Sequence, residues 1–386
     1  MEKINEWKIP LYKIYTDDED INLITKIIKR GTQWAIGPEI EEFENAIKDF
    51  VGVDYCVCLN SGTSALHAAF LAYGFGQNDE IIVPSFSFIS TANAALFVNS
   101  IPVFADIEES TFGLDPSSIL KKISNNTKAI VPMDYAGLSC NISEIKEISK
   151  NKNLVLIEDA AEAFGASVNG QKVGSNADCT MFSFCGNKVL TTGEGGAIVT
   201  NSKDIYEKIK LIRSHVRLDT INYFDNPSKS QHIQLGYNWR ISSLTAAIGL
   251  TQLQKLNKLI KMRQENAHFI SSRISKNSEI LLPSVPHGYE HIYQMFTVRL
   301  PNENIRNALH EHLLKNKIFS KIYFTPIHHT QFYKENFPVF DDSLKSTDKI
   351  SKQILTLPLY PNMTNEEKNY LVDSINEFFE LKSNSI

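Results

Sequence analysis

Cysteine is scarce in this chain of 386 residues. The five cysteines, at positions 56, 58, 140, 179 and 185, are odd in number and scattered. They form no C-x-x-C pair and have no histidines at zinc-site spacing, so we expect neither a disulfide framework nor a metal site. Unpaired thiols are typical of a reducing compartment, which indicates a cytoplasmic protein.

Long uninterrupted apolar runs are also absent. The N-terminus, MEKINEWKIP, mixes charged and apolar residues and does not resemble a signal peptide. Residues 81–105 carry no charge, but Pro84 and Pro102 would break the helix that a membrane span needs. We predict two buried strands joined by a polar turn in this segment, and no association with a membrane.

Neither sign of charge dominates the sequence. There are 39 Lys and Arg residues against 44 Asp and Glu, which gives a net charge of -5 and a pI near 6.1. This balance gives no global electrostatic attraction to nucleic acid, so we expect no nucleic-acid partner. Hydrophobic residues make up 42% and charged residues 22%, as in ordinary globular proteins.

Several nucleotide-binding and hydrolase motifs are missing as well. The sequence contains no G-x-x-x-x-G-K-[ST], no G-x-G-x-x-G after a strand, no G-x-S-x-G and no H-E-x-x-H. A P-loop, a dinucleotide fingerprint, a serine-hydrolase elbow and a zincin helix are therefore excluded as sources of activity.

What the chain does contain, between about residues 50 and 200, is an alternation of short apolar runs with helical patterns. Several runs are continuously apolar, which is typical of parallel strands covered by helices on both faces. The predicted strands are 55–60, 81–84, 102–106, 129–133, 154–159, 180–184 and 196–200, and the predicted helices between them include 64–73, 117–123 and 142–150. Ligands of such α/β sheets bind beyond the carboxyl ends of the strands, where we expect the chemistry.

The second half of the chain predicts a smaller unit. A long amphipathic pattern at 242–274 predicts one helix that could bridge two domains, followed by a strand at 293–300 and helices at 305–316 and 365–381. We therefore predict a large domain of residues 1–255 and a smaller α+β domain of residues 256–386.

The strongest chemical segment is FSFCGNKVLTTGEGG, residues 182–196, which leaves a strand, turns through a glycine and presents Lys188 in a loop. A lysine held in a partly desolvated pocket can lose its proton and attack a carbonyl carbon. For this residue taken alone, an ordinary solvated lysine is the simpler interpretation.

Two acids, Glu158 and Asp159, end the apolar strand of LVLIEDAAE. A buried acid without a partner is costly, so a cation is expected nearby. A pyridinium nitrogen would suit, since at about 4 Å the attraction is roughly 1 kcal/mol in water and about 4 kcal/mol at an effective dielectric near 20. Helix capping is the alternative role for Asp159.

Two further segments follow predicted strands. SGTSAL, with Gly62 and Thr63, joins a strand to a helix start, where backbone N–H groups favour an anion such as a phosphate. Ser183 could add a hydroxyl to the same phosphate. Phe88, in PSFSF, could stack on a flat ring. A plain helix cap and core packing are the alternatives for these residues.

Taken together, the motifs SGTSAL, PSFSF, EDAAEAFG, FSFCGNK with TTGEGG, and GYNWR resemble the DegT/DnrJ family of sugar aminotransferases. The resemblance extends from about residue 31 to residue 361. It implies an α/β, aspartate-aminotransferase-like fold (fold type I), whose large domain has a mostly parallel seven-stranded sheet.

The resemblance also implies pyridoxal 5'-phosphate as cofactor. Lys188 would bind it covalently and move the proton during transamination. The other cofactor-binding positions that the resemblance implies are Gly62, Thr63, Phe88, Asp159, Glu162, Ser183 and Asn238. Of these, Asp159 would face the ring nitrogen and Asn238 would reach the phosphate of a neighbouring subunit, so that a homodimer with shared sites is expected.

A nucleotide-linked keto-sugar and glutamate are the implied substrates, with Arg240 and His328 as candidate contacts of the sugar nucleotide. A dehydratase branch of the family carries His at the position of Lys188, so the lysine favours transamination. The FSFCGNK and TTGEGG motifs are similar to those of enzymes that aminate C4 of a GDP-linked 4-keto-6-deoxy sugar, which is used in surface polysaccharides such as O-antigen. UDP- or dTDP-sugars, and a cofactor-binding regulatory protein without catalysis, are the alternatives.

Overall fold

A computed structural model describes residues 7–218, 231–274, 279–337 and 343–383 of the chain. The helices are α1 (Asp18–Arg30), α2 (Pro38–Val51), α3 (Gly62–Tyr73), α4 (Ser90–Phe97), α5 (Pro116–Lys122), α6 (Ile142–Lys152), α7 (Lys203–Ile212), α8 (Ser243–Gln254), α9 (Leu256–Ile274), α10 (Glu303–Lys315), α11 (Gln331–Asn336), α12 (Lys345–Gln353) and α13 (Asn365–Ser383). The strands are β1 (Tyr55–Leu59), β2 (Glu80–Pro84), β3 (Ile101–Ala105), β4 (Thr127–Ile130), β5 (Val155–Asp159), β6 (Ser167–Val168), β7 (Gln171–Lys172), β8 (Cys179–Ser183), β9 (Gly196–Thr200), β10 (Tyr289–Glu290), β11 (Phe296–Arg299) and β12 (Ile354–Leu357). Short 3-10 turns lie at Tyr135–Gly137 and Ile327–His329.

The central sheet has seven strands in the order β1-β9-β8-β5-β4-β2-β3. All seven predicted strands form it, each within a few residues of its predicted bounds. Only β9 runs against its neighbours, so the other six strands point the same way. Their carboxyl ends therefore meet at one edge, which brings the segments after β1, β2, β5 and β8 together.

Helices cover both faces of this sheet because its strands are apolar on both sides. Ile81 and Val83 pack into the core beneath α3 and α4, whereas Ile82 between them packs into a second cluster with Leu156. Successive side chains of a strand point to opposite faces, so a continuous apolar run requires cover on each. The predicted α/β class is confirmed.

The connection between β2 and β3 differs from the prediction. Instead of a polar turn, it contains the helix α4, whose Ala92, Ala94 and Ala95 are fully buried. The two strands are parallel, and a parallel pair needs a crossover long enough to return the chain to the same end of the sheet. A short polar turn could not provide it.

The single helix predicted at 242–274 is also wrong, because the segment forms two helices, α8 and α9, that are separated at Lys255. The Lys255 ammonium is buried against the start of α1, where it lies 3.0 Å from Asp20 and also contacts Asp17. This ion-pair cluster is a tertiary contact, so the helical periodicity of the segment could not predict it.

A second, smaller core lies around the antiparallel pair β11–β12 with α9, α10 and α13. It confirms the strand and the two helices predicted in the last third of the chain. Ile9 packs into this core, and Leu256 into that of the large sheet. The domain boundary at 255/256 stays a prediction. Among the described helices, none combines the length and apolar content that crossing a bilayer would require.

Candidate active site

A cleft of about 560 Å³ opens at the carboxyl edge of the sheet. Seven of the predicted site residues line it together: Gly62, Thr63, Phe88, Asp159, Glu162, Ser183 and Lys188. They come from segments after four different strands. Tyr12, Lys321 and Tyr323 also line the cleft.

Lys188 is held in a loop that leaves β8 and returns to β9. Its backbone N–H donates to the carbonyl of Cys185 at 2.9 Å. Its side chain is only 13% exposed, and Nζ lies 3.5 Å from Oε1 of Glu162. The other carboxylate oxygen of Glu162 accepts the N–H of Ala136 at 2.9 Å, which fixes this acid beside the amine.

The loop around Lys188 is clamped by Gln294, which lies just before β11. The Gln294 side-chain oxygen accepts the N–H of Val189 at 2.7 Å, and its amide nitrogen donates to the carbonyl of Asn187 at 2.8 Å. Both neighbours of the lysine are thus held by one buried side chain. Arg263, also buried, donates to the carbonyl of Gln294 at 2.8 Å and keeps that residue in place.

Asp159 ends β5 and is only 2% exposed. Thr91 donates to its Oδ2 at 2.6 Å, and the N–H of Ala161 donates to its Oδ1 at 3.2 Å. Burial raises the pKa of Asp159 to about 6 in spite of these two hydrogen bonds. A carboxylate that is destabilised in this way, and that borders an open cleft, is suited to receive a cation.

The adjacent acid, Glu158, points to the opposite face of the sheet. Its Oε2 accepts the hydroxyl of Thr180 and the N–H of Gly174, both at 3.0 Å. Burial raises the pKa of Glu158, and burial together with the charge of Glu158 raises that of Asp134. Of these two adjacent acids, only Asp159 lines the cleft.

The helix α3 directs its N-terminus into the cleft. Ser61 caps it, and its hydroxyl accepts the N–H of Ser64 at 3.1 Å. The N–H groups of Gly62 and Thr63, the first two residues of this helix, have no partners within the helix and are available to an anion. A Cβ atom at Gly62 would lie 3.1 Å from Cβ of Ser183, so the glycine keeps this cradle open.

Phe88 stands in the cleft with 58% of its surface exposed. Its nearest aromatic neighbour described is Phe324, with ring centroids 6.4 Å apart. Core packing, the alternative raised from sequence, does not account for a side chain this open. The exposed ring leaves one face available to a flat ligand.

Three predicted residues lie outside the cleft lining in the described part of the chain: Asn238, Arg240 and His328. Asn238 is exposed on a strip that bridges to Ser214, and Arg240 donates to the Ser214 hydroxyl at 3.3 Å. The ring of His328 contacts Ser85 at 2.7 Å. The substrate and partner roles of these residues stay predictions.

Sequence reasoning missed several residues that shape this site. Thr91 lies in the segment treated as a turn, although a hydroxyl one helical turn after PSFSF is a recognisable signal. No local sequence signal marks Gln294, Tyr12 and Tyr323. They are far in sequence from the motifs, and only the tertiary fold brings them to the site.

Comparison with known proteins agrees with this geometry. Residues 15–376 match the DegT/DnrJ/EryC1/StrS aminotransferase family, to which the chain belongs. It is 32% identical over 374 residues to GDP-perosamine synthase of Escherichia coli O157:H7, covering 96% of this chain and 98% of that protein. It is 33% identical over 366 residues to UDP-4-amino-4,6-dideoxy-N-acetyl-beta-L-altrosamine transaminase of Campylobacter jejuni strain 81-176, covering 93% and 94%.

Among solved structures, PseC of Helicobacter pylori, an aminotransferase of pseudaminic acid biosynthesis, superposes with a TM-score of 0.90 at 29% identity and covers 96% of this chain and 99% of that one. The fold is therefore the aspartate-aminotransferase-like, type I fold. The chain is an enzyme, a sugar-nucleotide aminotransferase of its family.

Proposed function

We propose that this enzyme uses pyridoxal 5'-phosphate to transfer the amino group of glutamate to C4 of a nucleotide-linked 4-keto-6-deoxy sugar, with a GDP-sugar as the first candidate. The product would be a 4-amino sugar nucleotide of the GDP-perosamine type. The observation that carries the proposal is the meeting of Lys188, Asp159 and the N-terminus of α3 around one cleft, which the exposed ring of Phe88 also lines.

The residues present fit the cofactor. The phosphate would lie at Gly62, Thr63 and Ser183, where the helix end offers N–H groups and a Cβ would intrude. The ring nitrogen would face Asp159, whose raised pKa reflects a buried carboxylate with no cation in hydrogen-bond contact among the described residues. When bound, the cofactor ring acts as an electron sink for the carbon that carries the transferred nitrogen.

The side chains of the chain itself do the rest. Lys188 Nζ would hold the cofactor and then move one proton, first in the half-reaction with glutamate and then at the sugar carbon. One lysine can serve both, because each half-reaction needs a single base at the reacting carbon. Glu162 lies 3.5 Å from this amine and would hold it in position by an ion pair. Gln294 holds the loop that carries Lys188 in place by two hydrogen bonds. The hydrogen bond from Thr91 orients the carboxylate of Asp159.

The choice of C4 and of GDP rests on likeness to relatives. Proteins named GDP-perosamine synthase from three bacteria are 31–34% identical to this chain over at least 90% of it. The transaminase named for a UDP-sugar is 33% identical, so UDP- and dTDP-linked keto-sugars are the second candidates. A role in building surface polysaccharide, in the cytoplasm, is part of the same proposal.

A direct test separates these candidates. The purified protein is incubated with glutamate and a panel of GDP-, UDP- and dTDP-linked 4-keto-6-deoxy sugars, and products are read by mass. We expect the GDP-sugar to gain an amine while 2-oxoglutarate appears. Lys188→Ala should bind cofactor but lose about 10⁴-fold or more in turnover, whereas Lys128→Ala, at an exposed strand position, should match the wild type. A cofactor-loaded protein that aminates no sugar would favour the regulatory alternative, and turnover by Lys188→Ala would refute the role of the lysine.

We further propose a homodimer in which Asn238 completes the site of its partner. Asn238 is exposed and lies outside the cleft of its own subunit. Exposed apolar side chains flank it, including Leu235 at 79% and Ile233 at 58% exposure. Such a strip is typical of a surface covered by another chain.

Subunit mixing tests this arrangement. Asn238→Ala and Lys188→Ala homodimers should each be inactive or nearly so. After equal amounts are mixed and exchanged, half of the dimers are hybrids and each has one intact site, so about a quarter of the wild-type activity should return. Failure to recover activity, with exchange verified by mass spectrometry, would show that Asn238 acts within its own subunit or not at all.

A further inference from the structure

Two adjacent histidines and an aspartate converge outside the cleft. His328 and His329 form the 3-10 turn at residues 327–329, and Asp348 lies in α12. One ligand atom from each of the three side chains lies within 4.8 Å of the others. We propose that His328, His329 and Asp348 form a binding site for a divalent transition-metal ion of the Zn²⁺ type, separate from the amino-transfer cleft.

The distances suit one shared ion. Zn²⁺ binds histidine nitrogen and carboxylate oxygen at about 2.0–2.2 Å in tetrahedral geometry, which separates two ligand atoms by roughly 3.3–3.5 Å. His328 Nε2 lies 3.3 Å from Asp348 Oδ1, at that separation. His329 Nε2 lies 2.7 Å from the same oxygen, so this pair would open by roughly 0.6 Å to admit the ion. His329 and Asp348 are both about two-fifths exposed, which leaves them room for this movement.

The ligands are held by a second set of contacts. Nδ1 of His328 lies 2.7 Å from the hydroxyl of Ser85, a fully buried residue at the end of β2. With Nδ1–H donating to Ser85, Nε2 presents its lone pair to a metal, which is the arrangement usual for metal-bound histidine. The ring of His328 also packs against that of His329, with centroids 3.9 Å apart.

The helix that carries the aspartate is also anchored. Asp106, at the end of β3, accepts the N–H groups of Ser346 and Thr347 at 2.9 and 2.8 Å, and so fixes the start of α12. The three ligands therefore come from a turn anchored on β2 and a helix anchored on β3. Two imidazoles with one carboxylate favour Zn²⁺, Co²⁺ or related ions over Mg²⁺ and Ca²⁺, which prefer oxygen ligands.

The sequence offered no zinc-like spacing, because two adjacent histidines and an aspartate nineteen residues later match no standard motif.

Titration of the untagged holoenzyme with Co²⁺, followed by its visible d–d absorbance, tests the proposal. We expect one ion per chain, displaced by Zn²⁺ and not by Mg²⁺. Asp348→Asn and His329→Gln should each weaken binding by about tenfold or more, and Ser85→Ala by about 10–100-fold. His287→Gln, which removes an exposed histidine elsewhere, should bind as the wild type does.

The variants also distinguish Co²⁺ at this site from Co²⁺ bound by the cofactor or by cysteine thiols, because none of these substitutions changes those ligands. Variants are compared only after their circular dichroism and cofactor absorbance match those of the wild type; His329→Gln, at an exposed position, serves if Asp348→Asn does not fold. Equal Co²⁺ affinity in the wild type and His329→Gln, or the absence of a saturable signal in the wild type, would overturn the proposal.

Discussion

Replacing Asp159 with Asn should make the cofactor-free enzyme more stable while destroying its activity. Burial raises the pKa of Asp159 from an ordinary value of 3.8 to about 6. This shift corresponds to about 3 kcal/mol against the ionised carboxylate in the folded chain. Asn has nearly the same shape and carries no charge, and it can still receive the N–H of Ala161. The substitution should therefore remove most of this cost.

The sign of the effect depends on pH. A raised pKa in the folded state means that folding favours the protonated acid, so below pH 3.8 the carboxyl group carries no penalty. The penalty grows as the pH rises from about 4 to 6 and is complete above that window. The advantage of Asp159→Asn should follow the same course, small at pH 4 and at its plateau by pH 7 to 8.

Thermal unfolding of cofactor-free protein measures this advantage. For 386 residues the entropy of unfolding is about 0.8 kcal/mol/K, so about 3 kcal/mol corresponds to a rise in Tm of roughly 4 °C at pH 8. Asp373→Asn, at an exposed position in α13, should give no such pH-dependent gain. With cofactor and glutamate present, Asp159→Asn should be inactive. An Asp159→Asn protein no more stable than the wild type at pH 8 would refute the view that this carboxylate is held at a cost for function.

Two further substitutions probe the same cleft. Thr91→Val removes the 2.6 Å hydrogen bond to Asp159, which is worth about 1.5–3 kcal/mol, and raises the pKa of Asp159 further. We expect kcat/KM to fall about 10–100-fold and the acidic limb of its pH profile to move upward, and Thr91→Ser should restore both. An unchanged pH profile would argue for a purely structural hydroxyl. Gly62→Ala places a methyl group 3.1 Å from Ser183 in the anion cradle and should weaken cofactor binding, measured by fluorescence titration, about tenfold. Gly76→Ala, with no atom within 4 Å of its added Cβ, should leave the cofactor affinity unchanged. Equal affinities of the two variants would place the phosphate elsewhere.

The positions of the central strands could be predicted from sequence because their apolar runs are continuous and each is bounded by turn residues. The segments that follow four of them could be predicted as the site for the same reason, since parallel strands end at one edge. The clustering of Lys188, Asp159 and Gly62 in one cleft follows from that rule and not from any local contact.

Other features depended on contacts between distant parts of the chain. Whether Glu158 or Asp159 faces the cleft is decided by the register of β5 against β8, where Asp159 pairs with Met181. The break between α8 and α9 lies at Lys255, whose ion pairs with the start of α1 join segments far apart in the chain. The clamp on the lysine loop by Gln294 depends on the approach of the segment before β11 to the loop after β8.

The sequence by itself therefore determined the elements and the chemical types available after each strand, because hydrophobic period and turn residues act over a few neighbours. Only the tertiary structure decided which side chains meet, as with Thr91 on Asp159 and His328 beside Asp348. The physical reason is that a hydrogen bond or an ion site depends on distances of a few tenths of an ångström between segments whose approach is set by the packing of the whole core.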